Sequence, residues 1–136
     1  MTLKDKNDIR VLVVDDEQGM RDLLSYELGS QGYQVVTAID GVDAIEKIRQ
    51  SKFQLVITDL KMPRMGGMET LEEIKKIDPS IEVIMATGFG TIEVAVSAMK
   101  SGAYDFVQKP YNLHEISALI DKALEKSQLR ALIALY

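Results

Sequence analysis

Residues 9–17 read Ile9-Arg-Val-Leu-Val-Val-Asp15-Asp16-Glu17, a mostly apolar run of six residues followed by three consecutive acids. Branched apolar residues without strict alternation are typical of a strand that is buried on both faces of a parallel sheet. The three acids come directly after this run, so they lie at the carboxyl end of the predicted strand. The stretch therefore predicts a parallel sheet with an acidic cluster at the carboxyl end of its first strand.

The rest of the chain repeats this pattern of a short apolar run followed by a segment with helical spacing. The five predicted strands are residues 9–14, 34–38, 54–58, 81–86 and 104–108. The apolar residues expected on the buried faces of the five helices are Met20, Leu23, Leu24 and Leu28; Ala44, Ile45 and Ile48; Leu71, Ile74 and Ile77; Val94, Ala95, Ala98 and Met99; and Leu113, Ile116, Ile120 and Leu124. The alternation predicts an α/β domain of the (βα)₅ type, a five-stranded parallel sheet with helices on both faces.

Turn residues agree with these element boundaries. Gly32 and Gly102 lie where the first and fourth helices should end, and glycine is the common residue after a helix. Asp40–Gly41 is a turn signal that opens the second helix. Asp78–Pro79 closes the third helix, because the residue before proline disfavours helical geometry.

The composition narrows the classes of function. The chain has no cysteine and one histidine, so disulfides are excluded and a zinc site is improbable. Its net charge of −5 argues against nucleic-acid binding by this chain, which would need clustered basic residues. The first ten residues lack the apolar core of a signal peptide, and no apolar run is long enough to span a bilayer. We therefore expect a cytoplasmic protein without membrane contact.

Polar residues follow four of the predicted strands. In doubly wound folds the active crevice lies beyond the carboxyl ends of the strands, where the strand order reverses. In the flavodoxin-like order 2-1-3-4-5, strands one, three, four and five are neighbours. They end in Asp15–Asp16, Asp59, Thr87 and Lys109. We expect these side chains to converge on one site.

The residues at this site favour phosphoryl chemistry. Clustered carboxylates repel one another, and a hard divalent cation such as Mg²⁺ relieves the repulsion. Lys109 adds a positive charge and Thr87 a hydroxyl donor, which suits stabilisation of phosphoryl oxygens. A carboxylate is the expected nucleophile, because the site holds no better one. Each residue alone has an ordinary structural explanation, such as a helix cap or a solvated charge. The interpretation therefore rests on their occurring together at four neighbouring strand ends.

Four motifs, in this order and spacing, resemble the receiver domain of two-component response regulators from residue 9 to residue 126, a CheY-like fold. They are Val-Leu-Val-Val-Asp15-Asp16-Glu17, Thr-Asp59-Leu-Lys-Met-Pro63 with Gly66–Gly67, Ala-Thr87-Gly, and Asp-Phe106-Val-Gln-Lys109-Pro110. By this resemblance Asp59 is the phosphoacceptor. Mg²⁺, with Mn²⁺ as a possible substitute, is held by Asp15, Asp16, Asp59 and the backbone carbonyl of Lys61.

The resemblance also implies a switch. Thr87 and Lys109 contact the phosphoryl oxygens, and Phe106 turns inward when Thr87 moves toward the phosphate. A cis peptide bond is implied between Lys109 and Pro110. The sequence departs from the commoner pattern at Tyr111, where phenylalanine is more frequent.

Residues 87–111 are similar to receivers of the NtrC type, which usually precede an ATPase domain that activates the sigma-54 form of RNA polymerase. The resemblance to receiver domains implies a sensor histidine kinase as partner. We also expect a homodimer through the fourth helix, fifth strand and fifth helix together with the C-terminal helix. We expect residues 1–126 to form the receiver domain. Residues 127–136 would form a helical extension that starts a linker to an output domain absent from this sequence.

Three other functions would each call for different residues. A flavodoxin-like cofactor binder would place the FMN phosphate after the first strand, where Asp15, Asp16 and Glu17 would repel it. A phosphatase working through an aspartyl-phosphate would need an acid two residues after Asp59, where Lys61 stands. An interaction module that has lost phosphorylation would not need the full set of acids with Thr87 and Lys109.

Overall fold

A computed structural model of the protein describes residues 5–133. The five strands are β1 (Arg10–Val14), β2 (Gln34–Ala38), β3 (Leu55–Thr58), β4 (Glu82–Thr87) and β5 (Asp105–Gln108). The five helices are α1 (Gln18–Ser30), α2 (Gly41–Gln50), α3 (Gly67–Ile77), α4 (Ile92–Lys100) and α5 (Leu113–Ile133), preceded by a 3₁₀ turn at Lys6–Asp8. All strands pair in parallel in the order β2-β1-β3-β4-β5, which confirms the predicted fold and strand order.

The strand boundaries differ slightly from those predicted. β2 begins and ends as expected, whereas the other four strands begin one residue later and β4 extends to Thr87. At the start of β4, the Ile81 N–H donates to the Asp78 carbonyl at 3.2 Å. Ile81 therefore belongs to the turn that follows α3, and apolar character alone could not separate it from the strand.

The predicted helix ends are confirmed. Gly32 and Gly102 both have a φ of +101°, the left-handed conformation that glycine adopts without steric penalty. After α1, the Gly32 N–H donates to the Gly29 carbonyl at 3.0 Å and the Tyr33 N–H to the Leu28 carbonyl at 3.2 Å. This arrangement satisfies carbonyls that a helix end leaves free. The start of α2 is capped by Asp40, whose carboxylate accepts from the Asp43 N–H at 2.9 Å.

The sheet is the central layer of a three-layer core. Helices α2, α3 and α4 cover one face, where Ile48, Leu71 and Ala98 pack against strand residues such as Val56. Helices α1 and α5 cover the other face, where Leu28 and Ile120 lie among the buried residues. Every residue of β3 and β4 is buried, as expected for strands covered on both faces.

The predicted burial is wrong for three residues of the helical stripes. Leu23 is 44% exposed, Ile77 is 37% exposed and Met99 is 46% exposed. Successive residues of a helix point about 100° apart, so Leu24 and Ala98 face the sheet and their neighbours Leu23 and Met99 do not. Ile77 is the last residue of α3. Four further residues of the predicted stripes are only half-buried: Met20, Val94, Ala95 and Leu113.

Helix α5 continues through the predicted extension as far as Ile133. Near its end, the Arg130 guanidinium lies 3.5 Å from the carboxylate of Glu82, whose side chain is only 3% exposed. Leu129 and Ile133 are 46% and 72% exposed. The last residues of the predicted extension, 134–136, lie outside the described part of the chain. None of the helices within residues 5–133 is long and apolar enough to cross a membrane.

The close approach of α2 to α3 gives a testable prediction at Gly41. A Cβ on Gly41 would lie 2.2 Å from the Thr70 hydroxyl and 2.6 Å from the Met65 carbonyl oxygen. We expect Gly41→Ala to lower the free energy of unfolding by about 1–3 kcal/mol, as overpacking does. Urea unfolding followed by circular dichroism measures this. The control is Gly19→Ala in α1, where a Cβ meets nothing within 4 Å and stability should not fall. Equal stability of the two variants would contradict the prediction.

Candidate functional site

Five side chains from four strand ends meet at one edge of the sheet. Asp15 and Asp16 follow β1, Asp59 follows β3, Thr87 ends β4 and Lys109 follows β5. Because β1, β3, β4 and β5 are consecutive neighbours and run in parallel, their carboxyl ends lie side by side. The structure thus brings together the residues whose convergence was expected from the sequence.

Four carboxylates form the acidic cluster: Asp15, Asp16, Glu17 and Asp59 each offer an oxygen, and these atoms lie within 4.8 Å of one another. Asp15 and Asp59 are 3% and 4% exposed, whereas Asp16 and Glu17 are exposed. Oxygen donors of this kind, partly open to water, fit a hard cation that keeps some of its water ligands, such as Mg²⁺. Glu17 was not among the predicted ligands, although it directly follows the two predicted aspartates.

Lys109 bridges the two buried carboxylates. Its Nζ donates to Asp15 Oδ2 at 2.7 Å and to Asp59 Oδ2 at 3.2 Å. Burial disfavours the charged lysine, but the hydrogen bonds and negative charges of Asp15 and Asp59 outweigh it, so the pKa of Lys109 lies above its ordinary value. The ammonium therefore stays charged at neutral pH and offsets part of the carboxylate repulsion.

The remaining oxygens of the two buried acids are held by backbone groups. Asp15 Oδ1 accepts from the Glu17 N–H at 2.9 Å, and Asp59 Oδ1 accepts from the Leu60 N–H at 2.6 Å. The Arg21 guanidinium donates to the backbone carbonyl of Asp15 at 2.8 Å. These contacts fix the orientation of both carboxylates, so a ligand would meet a largely preformed set of oxygens.

The predicted switch residues lie on β4 and β5. Thr87 is fully buried, and its hydroxyl accepts from the Phe89 N–H at 3.2 Å. Phe106 is half-buried, and its ring lies so close to Gly90 that a Cβ there would fall 2.4 Å from two ring atoms. The same ring lines a shallow depression beside α4, together with Val96. The Lys109–Pro110 peptide bond is cis, as the resemblance implies.

The loop after Asp59 borders the acidic cluster. Lys61 lies in this loop, and its Nζ lies 4.6 Å from the centre of the Phe89 ring, close enough for a cation–π interaction. An open depression beside the cluster is lined by Asp16 and by loop residues that include Lys61 and Pro63. Lys61 and Asp16 thus line the same depression. The resemblance predicts a metal ligand at the backbone carbonyl of Lys61.

Comparison with known sequences gives consistent matches. Residues 11–121 match the family model of the response regulator receiver domain. The transcriptional regulatory protein ZraR of Klebsiella oxytoca is 39% identical over 121 residues, which cover 89% of this chain and 27% of ZraR. The transcriptional regulatory protein GlrR of Escherichia coli (strain K12) is 41% identical over 117 residues, covering 86% of this chain and 26% of GlrR. The chain spans about a quarter of the length of these relatives.

Solved structures with a similar fold include NtrX from Brucella abortus, with a TM-score of 0.86 and 38% identity, covering 92% of this chain and 29% of NtrX. The beryllofluoride-activated NtrC4 receiver domain dimer has a TM-score of 0.83 and 37% identity, covering 87% of this chain and 98% of that domain. The similarity therefore extends over the sheet, the helices and all four strand ends that form the site.

Proposed function

Because the chain belongs to the response regulator receiver domain family, we propose that it accepts a phosphoryl group on Asp59 from a histidine kinase and so works as a phosphorylation-controlled switch. The family is one of signalling domains. The observation that carries the proposal is the preformed cluster of Asp15, Asp16 and Asp59, with the charged Lys109 hydrogen-bonded to two of its carboxylates.

The acidic cluster fits Mg²⁺ by the chemistry of its donors, and Mn²⁺ prefers similar ligands. In this proposal Asp15, Asp16, Asp59 and the backbone carbonyl of Lys61 hold the ion. When bound, the cation supplies positive charge that neutralises the phosphoryl oxygens. Glu17 is close enough to contribute through a water molecule, because its carboxylate lies within the same 4.8 Å cluster.

The residues of the chain perform the transfer chiefly by position and charge. A carboxylate oxygen of Asp59 forms the new bond to phosphorus as the bond from phosphorus to the histidine nitrogen of the donor breaks. The Leu60 N–H, 2.6 Å from Asp59 Oδ1, keeps the nucleophile oriented. Lys109 can leave Asp59 Oδ2 for a phosphoryl oxygen, since its ammonium is charged and already lies between the two acids.

The proposed switch follows from the same residues. A phosphoryl group on Asp59 offers strong acceptor oxygens, and the Thr87 hydroxyl can donate to one of them. Movement of Thr87 would open space near the end of β4 that the ring of Phe106 can enter. Because phenylalanine has no hydroxyl, its burial leaves no hydrogen-bonding group without a partner. The surface formed by α4, β5 and α5 would change shape as a result.

The biological setting is a further part of the proposal. Similarity to ZraR, GlrR and NtrX supports a receiver of the NtrC type that controls a transcriptional output domain, for which we expect sigma-54-dependent activation. The relatives are about three times as long as this chain. In this proposal residues 127–136 begin the linker to that domain. We expect the protein to act in the cytoplasm, where the kinase domain of a sensor would donate its phosphoryl group.

Intact-mass spectrometry tests the proposed function. The protein is incubated with acetyl phosphate in the presence of Mg²⁺ and, separately, of a chelator. We expect a gain of one phosphoryl group, about 80 Da, in the Mg²⁺ sample alone. No gain, under conditions that label an established receiver, would contradict the proposal and favour an interaction module that has lost phosphorylation.

We also propose that the protein forms a homodimer through α4, β5 and α5. The similar NtrC4 receiver domain is a dimer in its beryllofluoride-activated form, which supports dimerisation. Ile92 is 81% exposed on α4, so Ile92→Asp can place a charge at the interface without disturbing the core. We expect dimerisation to weaken about tenfold or more, because the charge would have to be buried on association. Sedimentation velocity of the variant and of the parent protein, with and without beryllofluoride, measures the change in dimerisation.

The matched control for the dimer is Tyr26→Asp on α1. Tyr26 is 78% exposed, but α1 lies on the opposite side of the sheet from α4. The control should associate like the parent protein. Equal weakening in both variants, or none in Ile92→Asp, would contradict a dimer through α4.

A further inference from the structure

Arg64 lies in the loop between β3 and α3 with an unusual backbone conformation. Its φ is +66°, and it is the only residue other than glycine with a positive φ within residues 5–133. The Met65 N–H donates to the Pro63 carbonyl at 2.8 Å, which closes a three-residue turn around Arg64. Such turns with positive φ are strained, and they persist where the surrounding structure holds them.

A two-point ion pair holds Arg64 in place. Its Nε donates to Asp40 Oδ2 at 2.6 Å, and its Nη2 donates to Asp40 Oδ1 at 2.9 Å. Asp40 is 1% exposed and also caps α2 through the Asp43 N–H. The hydrogen bonds from Arg64 outweigh the opposing effect of burial and hold the pKa of Asp40 below its usual range. The pair is therefore charged at neutral pH.

Backbone hydrogen bonds complete the anchoring of this loop. The Gly41 N–H donates to the Met65 carbonyl at 3.1 Å, next to Arg64. At the base of the loop, the Gly67 N–H donates to the Leu60 carbonyl at 2.8 Å. Lys61 lies between these two anchors, and the same loop borders the depression beside Asp16. The N-terminus of α2 and the loop after Asp59 are thus joined into one unit.

We infer that Arg64 and Asp40 are positioning residues for the cation: by clamping the loop, they set where the backbone of Lys61 stands relative to the acidic cluster and so set Mg²⁺ affinity. The inference rests on the proposed function, because it requires the cluster and the Lys61 carbonyl to bind Mg²⁺. Neither Arg64 nor Asp40 belongs to the acidic cluster, so both act through the loop.

Calorimetric titration with Mg²⁺ tests the inference. Arg64→Gly removes the clamp while glycine tolerates the positive φ, so strain is not introduced. We expect the dissociation constant for Mg²⁺ to rise about tenfold, as is common when a group that supports metal ligands is removed. The maximal rate of labelling by acetyl phosphate at saturating Mg²⁺ should stay near that of the parent. Arg64→Lys, which retains the charge but not the paired geometry, should recover part of the affinity.

Two further variants separate positioning from folding. Asp40→Asn keeps a good helix cap but removes the charge, and it should weaken Mg²⁺ binding as Arg64→Gly does. Lys47→Ala is the control. It removes a different ion pair of α2, in which the Lys47 ammonium lies 3.3 Å from the Asp43 carboxylate, and it should leave Mg²⁺ binding unchanged. Urea unfolding of all variants reports their stability.

The outcomes are distinguishable. Weaker Mg²⁺ binding in Arg64→Gly and Asp40→Asn, with Lys47→Ala unchanged, supports the inference. If the dissociation constant of Arg64→Gly for Mg²⁺ stays within twofold of that of the parent, the inference is overturned. This holds even if the variant is less stable to urea. If the parent binds Mg²⁺ and is phosphorylated, that result leaves the proposed function intact. A parent that neither binds Mg²⁺ nor gains a phosphoryl group would overturn both.

Discussion

Asp59→Asn is expected to abolish phosphorylation of the protein by acetyl phosphate. Asparagine has the same shape as aspartate, so the fold should be preserved. Its side-chain oxygen can still accept a hydrogen bond from the Leu60 N–H, which lies 2.6 Å from Oδ1 of Asp59 in the parent protein. Its amide oxygen carries no charge and does not form the acyl phosphate. Loss of a nucleophile typically lowers a rate by many orders of magnitude, and we expect at least about a 1,000-fold decrease here.

Intact mass measured over time gives the labelling rate of this variant. Asp22→Asn is the matched control, because it makes the same chemical change at an exposed position of α1. The control should gain a phosphoryl group at the parental rate. Labelling of Asp59→Asn at a comparable rate would show that another residue is the acceptor, and the assignment of Asp59 would then be wrong.

Lys109→Met should have the second-largest effect. Methionine retains much of the apolar length of lysine but removes the cation that bridges Asp15 and Asp59. Without that donor, phosphoryl oxygens lose a positive charge, which should slow labelling about 100- to 1,000-fold. Without Mg²⁺, two nearly buried carboxylates also lose a hydrogen-bond donor, so the free energy of unfolding should fall by about 1–3 kcal/mol.

Mg²⁺ should restore much of the stability that Lys109→Met loses. A ligand that binds only the folded state stabilises it, and the variant would bind the cation without competition from the ammonium for Asp15 Oδ2. Urea unfolding with and without Mg²⁺ measures this recovery. Lys76→Met serves as control, since Lys76 is 73% exposed on α3 and pairs only with Glu73 among the described ion pairs. A variant at Lys109 that labels and unfolds like this control would contradict the proposed role.

The strand ends show why the main features were predictable. Buried apolar runs and turn residues identify five strands, and one parallel order then places Asp15, Asp59 and Lys109 at the same edge. A polar residue that directly follows a buried parallel strand must lie at the carboxyl edge of the sheet. A local sequence pattern is therefore enough to predict where the site lies. The sequence predicts that Lys109 lies near the acids, but it does not predict that Lys109 donates to both Asp15 and Asp59.

The Arg64–Asp40 pair shows what the sequence could not supply. The two residues are 24 positions apart, in loops whose paths are not fixed by hydrophobic periodicity. No local signal indicates a positive φ at an arginine. Glu82 and Arg130, 48 positions apart, are a similar case, because α5 had to be placed across the sheet before the pair could form. Helical periodicity does not show how wide the buried stripe of a helix is, so it also predicts burial for exposed neighbours of core residues, such as Leu23.

The most direct test of the central claim is to locate the phosphoryl group chemically. The protein labelled by acetyl phosphate with Mg²⁺ is reduced with borohydride, which converts an aspartyl phosphate into homoserine, and is then mapped by peptide mass spectrometry. The account predicts homoserine at position 59 alone, and none when Mg²⁺ is chelated. Reduction at another acid, a stable phosphate on His114, or no modification of any residue would contradict it.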